Sequence, residues 1–136
     1  MNSDKIFNLF NDDDETSLLM DFSEHPLFWI GGFNKIINNH LFFTQHTIKH
    51  FKNISPDINI KELEKAGEEL MFRKAWNYIK FIDLNKVFHV ECLKLKADDE
   101  FIENLQASIL FFEAYEEYEK CALLKNIKDK VKELLD

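Results

Sequence analysis

Two histidines one helical turn apart, His46 and His50, have the spacing that most resembles a catalytic motif. On a helix, such an HxxxH pair can present both imidazoles to one metal ion. A zinc protease would need glutamate directly after the first histidine, where this chain has Thr47, and the ExxH sequence of di-iron carboxylate bundles does not occur. A third ligand could come from His40, Glu24 or Glu91, but no spacing requires one. We therefore expect no native metal site and retain the pair only as a candidate.

A second group brings His89, Glu91 and Cys92 together within four residues. On a helix these side chains point in different directions, whereas on a strand His89 and Glu91 would share a face. A nucleophilic Cys92 would need a neighbouring base and a lowered pKa. The sequence contains no glycine-rich phosphate loop, nucleophile elbow or dinucleotide motif. We expect no cofactor, and we lean against an enzyme.

An acidic and aromatic cluster near residue 117 is a candidate surface for binding another protein. Its exposed tyrosines could anchor a basic partner while the carboxylates supply charge complementarity. The alternative is a solvated helix face whose tyrosine rings pack on the core. The candidate contact residues are Tyr115, Glu116, Tyr118 and Glu119.

The N-terminal segment, residues 1–15, combines a short apolar stretch with the acidic run NDDDE at 11–15. Such a peptide can dock into a groove on a partner. It can equally tuck onto its own core, with the acidic run as a solvated link, and we favour this second reading. The apolar residues retained as candidate partner contacts are Ile6, Phe7, Leu9 and Phe10.

The charge and composition restrict the possible partners. The formal net charge is −8, which argues against non-specific nucleic-acid binding and against docking on an anionic membrane. A protein partner with a basic surface is compatible with it. No run approaches the ~18 apolar residues of a membrane span.

The expected location is cytoplasmic, either in the source organism or, if the gene belongs to a phage, in the infected host. Cys92 and Cys121 show no disulfide or zinc spacing, and we expect both to be reduced. The N-terminal sequence lacks the basic-then-apolar order of a signal peptide. Heavy use of Asn, Ile, Lys and Phe fits a low-GC genome.

These candidate residues require helices to position them. Three Gly and two Pro in 136 residues favour long helices, so we predict one domain over residues 16–136: an all-α bundle of four to six helices. A central helix over 26–51 has an apolar face that other helices should cover. Gly31-Gly32 should mark either a kink or a close helix approach. The predicted apolar face contains Trp29, Ile30, Phe33, Ile36, Ile37, Leu41, Phe43, Ile48 and Phe51.

A second long helix is predicted over 58–82, with Ser55 or Asp57 as its N-cap and Leu63, Leu70 and Met71 on its apolar side. Residues 86–96 could be strand or helix, and we predict helix because no other segment offers a strand partner. The C-terminal third is predicted to be helical, and the sequence leaves open whether the helix continues without a break near residues 114–117.

Residues 118–126, YEKCALLKN, resemble the core of the UVR helical hairpin of excision-repair proteins and Clp-related regulators. The family usually has Ala in place of Cys121, Arg in place of Lys125 and Asp in place of Asn126. The likeness implies a protein-interaction hairpin. It covers only nine positions, and we do not take it as family membership.

The function these patterns favour is that of a small acidic binding module: an adaptor, inhibitor or regulator that occupies a partner's surface. The alternative is a self-associating structural or assembly component. A second alternative is a metal-dependent helical-bundle enzyme that uses His46 and His50.

Overall fold

A computed structural model describes residues 23–55, 57 and 59–136, apart from the side chains at positions 41 and 45. This part of the chain forms five helices and no strand, which confirms the predicted all-α bundle. None of these helices is long and apolar enough to cross a membrane. The helices are α1 (Pro26–Ile54), α2 (Ile60–Ile79), α3 (Val87–Lys96), α4 (Asp99–Ala114) and α5 (Tyr118–Leu135).

The predicted N-terminal segment lies outside the described residues. The same holds for its candidate contacts Ile6, Phe7, Leu9 and Phe10 and for the predicted boundary between residues 15 and 16. The division into a segment and a domain therefore stays a prediction.

The start of α1 is fixed by local hydrogen bonds. Pro26 occupies the first turn, where its missing N–H has no helical acceptor to lose. His25 caps the helix, because its Nδ1 accepts a hydrogen bond of 3.1 Å from the backbone N–H of Leu27. The indole Nε1 of Trp29 donates to the carbonyl of Ser23 at 2.7 Å, so the incoming chain is held against the first turn.

The two adjacent glycines leave α1 continuous, and only one of them marks a close approach. A Cβ on Gly32 would lie 2.6 Å from Cδ1 of Tyr78 on α2, whereas one on Gly31 would meet nothing within 4 Å. Of the kink and the close helix approach predicted from the sequence, the close approach is therefore correct, and it applies to Gly32. Farther along, a Cβ on Gly67 would lie 3.3 Å from Cε1 of His40.

The N-cap predicted for the second helix is wrong. Ser55 ends α1 instead, donating its backbone N–H to the Phe51 carbonyl. The cap of α2 is Asn59, whose side-chain oxygen accepts from the N–H of Glu62 at 3.3 Å. The helix also ends at Ile79 rather than near residue 82, although Ile82 is buried beyond its end.

The main core lies where α4 packs on the first half of α1 and the second half of α2, with α5 packed on α4 and α3, and α3 on α1. Phe33 of α1 meets Phe101 of α4 edge to face, and Phe72 of α2 stacks on Phe111 with ring centroids 4.8 Å apart. Asn104 donates to Asn34 at 2.9 Å, so the polar group buried in this packing has a partner. The buried positions of the last two helices are Phe101, Leu105, Ile109, Phe112, Leu124, Ile127 and Val131.

Two open questions about the C-terminal half are resolved. Residues 87–96 are helical, as predicted, with Cys92 and Leu93 buried. The helical C-terminal third is broken at residues 115–117, between α4 and α5.

Candidate functional site

The apolar face of α1 is covered over only part of its length, which corrects the expectation that other helices enclose it. Ile30, Phe33 and Ile37 are buried, whereas Phe43 is 61% exposed and Phe51 37% exposed. Among the described side chains, Ile37 is the last buried one on α1. The periodic face therefore continues into solvent.

The same correction applies to the first half of α2. Leu63 and Leu70, predicted to face the core, are 43% and 56% exposed. Burial begins at Met71 and continues through Phe72, Ala75 and Ile79. The two helices thus form a hairpin whose far end, around the α1–α2 connection, carries apolar side chains without burying them.

The open end has a physical reason in the helix lengths. At ~1.5 Å per residue, the 29 residues of α1 extend ~44 Å, whereas the 16 residues of α4 extend only ~24 Å. The contacts of α4 with α1, Phe101 with Phe33 and Asn104 with Asn34 and Asn38, lie in the first half of α1. A helix of that length placed there does not reach the far end, which the described helices leave uncovered.

Between the two exposed faces runs a continuous apolar depression, which we call the hairpin groove. It consists of two adjoining cavities of about 400 and 350 Å³ that share His40, Phe43, Gly67 and Leu70. Each volume is near the low end of the ~300–1,000 Å³ of small-ligand pockets, enough for several side chains. The larger side chains that line it are His40, Phe43, Ile48, Phe51, Leu63 and Leu70.

Charged side chains lie at both ends of the groove. Lys74 lines the end nearer the start of α1. Glu64 lines the end nearer the α1–α2 connection. Lys49 and Lys52 border a further cavity together with Glu64, so cationic side chains lie near both ends.

The predicted C-terminal contact residues meet in a turn, residues 115–119, which we call the tyrosine turn. The N–H of Glu117 donates to the Phe112 carbonyl, and the N–H of Glu116 donates to the Glu113 carbonyl. These two bonds form a Schellman motif, in which the residue with positive φ is usually glycine. Here it is Glu116, with φ of 59°.

The carboxylate of Glu117 belongs to the fold rather than to a free acidic surface. Arg73 donates two hydrogen bonds to it, at 3.2 and 2.9 Å, and Lys120 donates a third at 2.7 Å. The hydrogen bonds from Arg73 and then Lys120 lower the pKa of Glu117 to about 2. This network ties the turn to α2.

The four candidate contacts of the tyrosine turn differ in their surroundings. Tyr115 is partly committed to packing, since its ring lies 4.8 Å from that of Phe111 and 5.5 Å from the Arg73 guanidinium carbon. Tyr118 is 63% exposed, and Glu116 and Glu119 are exposed as well. The last three are accessible to a partner, and their role stays a prediction.

The histidine pair gains no further ligand in the described structure. His46 lies against the ring of Phe42 at 4.3 Å, and His50 lies 6.4 Å from the ring of Phe51. His40, a suggested third ligand, faces Thr44 at 3.1 Å from its Nε2. Within residues 23–55, 57 and 59–136, no group of three or more His, Cys, Asp or Glu residues could hold a metal ion.

The second chemical group also has structural roles. His89 is buried, and its Nδ1 accepts from the N–H of Asp83 at 2.9 Å, which closes the connection between α2 and α3. Burial lowers the pKa of His89 and raises that of Cys92. A thiol with a raised pKa is a poor nucleophile near neutral pH, so nothing here activates Cys92.

Sequence reasoning placed the groove residues in the core and so missed the groove. No local signal separates the adjacent pair Phe42 and Phe43 from the buried pair Phe111 and Phe112, since neighbouring aromatic residues occur in both settings. Phe42 is 66% exposed and lies outside the groove lining.

Comparison with known proteins adds no family. No protein-family model matches the sequence, and neither curated proteins nor solved structures yield a match. The resemblance of residues 118–126 to the UVR hairpin thus remains a local likeness within the first half of α5.

Proposed function

We propose that the protein is a small acidic binding module that acts by occupying the surface of a partner protein. The observation that carries the proposal is the hairpin groove. Taking roughly 150–200 Å² for a large apolar side chain, the exposed side chains that line the groove offer roughly 300–400 Å² of apolar surface. They are Phe43, Phe51, Leu63 and Leu70.

An apolar patch of this size is comparable with the largest patch on a typical monomer, which is often functional. The groove between two helices can accept apolar side chains of a helix or an extended peptide. Phe43 of α1 and Leu70 of α2 border both of its cavities, so they are the proposed central contacts.

The accessible residues of the tyrosine turn form a proposed second contact, directed at a basic partner. Tyr118 supplies an exposed aromatic ring beside Glu119, and Glu116 occupies the positive-φ position of the turn. The carboxylate of Glu117 is already bound to Arg73 and Lys120 and is not included.

Affinity capture with matched variants tests the proposal. The full chain would be used as bait in lysate of the organism that encodes it, alongside Phe43→Ser and Leu70→Ser. Phe42→Ser is the control, because Phe42 is adjacent and equally exposed but lies outside the groove lining. We expect one protein to be captured by the wild type and the control, and at least tenfold less by the groove variants.

Two results would contradict this assignment. Capture that survives both groove substitutions would remove the groove from the contact surface. Capture that falls equally with Phe42→Ser would indicate non-specific adhesion to exposed aromatics. Tyr118→Ala, measured in parallel, tests the tyrosine turn separately.

Self-association is the second candidate function, and the same exposed surface favours it. Stable interfaces bury about 800 Å² on each partner, more than the roughly 300–400 Å² of apolar side chain exposed in the groove. A homodimer built on this surface alone would be weak. Light scattering over a concentration series tests it, and a monomer at every micromolar concentration would exclude it.

A further inference from the structure

The hairpin groove has a candidate occupant within the same chain. We propose that it receives the protein's own N-terminal segment, with the apolar residues 6–10 in the groove and the acidic run 12–15 beside Lys74. The proposed function supplies only the premise that the groove is a docking surface. The occupant is argued independently, from charge, length and tethering.

The charges of the segment can pair with charges along the groove. Asp4 and Lys5 precede the apolar residues, and four consecutive acids at 12–15 follow them. A segment running antiparallel to α1 brings Lys5 to Glu64 at the far end and the acidic run to Lys74 at the near end. Lys49 and Lys52 lie beside Glu64, so the direction is argued from reach: the eight residue steps from Glu15 to Ser23 span up to ~26 Å, less than the ~38 Å along α1 from Pro26 to the far end of the groove.

The spacing of these charges is compatible with the match. Glu64 and Lys74 are ten residues apart on α2, which corresponds to ~15 Å along the helix. Lys5 and Asp12 are seven residues apart, a separation of ~10 Å if helical and up to ~23 Å if extended. The required distance falls between these limits.

The chain can also reach the groove from the place where it joins the bundle. Ser23 is held at the first turn of α1 by the Trp29 indole. From Pro26 to Phe43, near the groove centre, the distance along α1 is ~26 Å. The thirteen residue steps from Phe10 to Ser23 span up to ~43 Å, so the link reaches without being fully extended.

Charge on α1 favours an acidic ligand in general. This helix contains Lys35, Lys49 and Lys52 and no aspartate or glutamate. Residues 1–22 contain six acidic residues and one lysine, a formal charge of −5. Because the segment is tethered, its local concentration at the groove is of millimolar order, well above that of a free partner.

The consequence is a module whose docking surface is closed by an internal ligand. An external partner that uses the groove has to displace residues 6–10. Once released, those residues become available to the partner as well. The segment would then serve both as a docking peptide and as part of the protein's own packing, the two alternatives given by the sequence.

Photo-crosslinking in the full chain tests the proposal without any partner present. A benzophenone-bearing phenylalanine replaces Phe43, and the same residue at position 42 is the control. Equal amounts of ¹⁴N- and ¹⁵N-labelled protein are mixed before irradiation, so that cross-links within a chain and between chains are separated by mass. We expect position 43 to cross-link to peptides within residues 1–22 of the same chain, at least fivefold more than position 42.

A charge exchange tests the orientation. Lys74→Glu should lower the yield of this cross-link at least threefold, and Asp12→Lys with Asp13→Lys should restore it in that background. Circular dichroism and the midpoint of urea unfolding verify that each variant is folded. An unchanged yield in Lys74→Glu would overturn the proposed direction of docking.

Other cross-linking outcomes overturn the proposal as a whole. Mixed-isotope products from position 43 would assign the groove to a second copy. Absence of cross-links to residues 1–22 would leave the groove to an external partner. Either result leaves the partner-capture comparison intact, so failure of this inference and failure of the proposed function are distinguishable.

Discussion

Two neighbouring glycines of α1 should respond in opposite directions to the same substitution. Gly31 and Gly32 both lie inside the helix, where replacing Gly by Ala is worth about 1 kcal/mol from backbone entropy alone. At Gly31 the new methyl group meets nothing within 4 Å. Gly31→Ala should therefore raise the free energy of unfolding by about 1 kcal/mol.

Gly32→Ala adds a steric cost that exceeds this gain. The new Cβ would lie 2.6, 2.8 and 3.0 Å from three ring atoms of Tyr78. The ring also contacts Phe28, one turn earlier on α1, edge to face at 5.6 Å, and a shift of the ring would disturb that contact. Overpacking of this kind costs about 1–3 kcal/mol, and the close contacts place it near the upper limit. The net expectation is a loss of about 2 kcal/mol.

Urea unfolding of the three proteins, followed by circular dichroism, measures the difference. We expect the two variants to lie about 3 kcal/mol apart, with the wild type between them and the urea dependence unchanged. The double variant Gly32→Ala with Tyr78→Ala provides the control. With the ring removed, alanine at position 32 should stabilise by about 1 kcal/mol relative to Tyr78→Ala alone.

Two outcomes would refute the reasoning. Equal stabilisation by both substitutions would mean that α1 and α2 do not approach closely at Gly32. Destabilisation by Gly32→Ala that persists without the Tyr78 ring would assign the cost to another contact.

Two further predictions concern the tyrosine turn. Glu116→Gly should stabilise the fold by about 1 kcal/mol, because glycine adopts a positive φ without strain. Thermal unfolding measures this change, and a lower midpoint temperature would contradict the prediction. Because the pKa of Glu117 is lowered to about 2, its ion pairs stabilise the protein above pH ~4.3 and are lost as the pH falls toward 2. Since the carboxylate is partly exposed, Glu117→Gln should cost only about 1 kcal/mol at pH 7 and nothing near pH 2, whereas an equal cost at both pH values would refute the ion-pair role.

The sequence predicted correctly those features that depend on residues close together in the chain. The face Phe101, Leu105, Ile109 and Phe112 was correctly predicted, because a period of 3.6 residues is a local property. The helix at 87–96 was inferred from the lack of a strand partner elsewhere in the chain. The N-cap at Asn59 was missed because Ser55, Asp57 and Asn59 are all good caps, and the choice depends on where α1 ends.

Less of the candidate site could be predicted from the sequence. The same apolar periodicity runs through Ile37 and Phe43, yet the first is buried and the second exposed. Which of them is covered depends on the length and position of α4. Likewise, Glu117 could not be separated from its acidic neighbours until Arg73, 44 residues away, was placed beside it.

The sequence by itself determined the class of this protein: an all-α chain whose helices have apolar faces and whose formal net charge is −8. Those properties follow from composition and from spacings within a few residues. Only the tertiary structure decided that α1 and α2 extend beyond α4, that Gly32 faces Tyr78 while Gly31 faces solvent, and that a groove opens between Phe43 and Leu70. The reason is that periodicity identifies an apolar face, whereas its burial depends on which distant helix ends beside it.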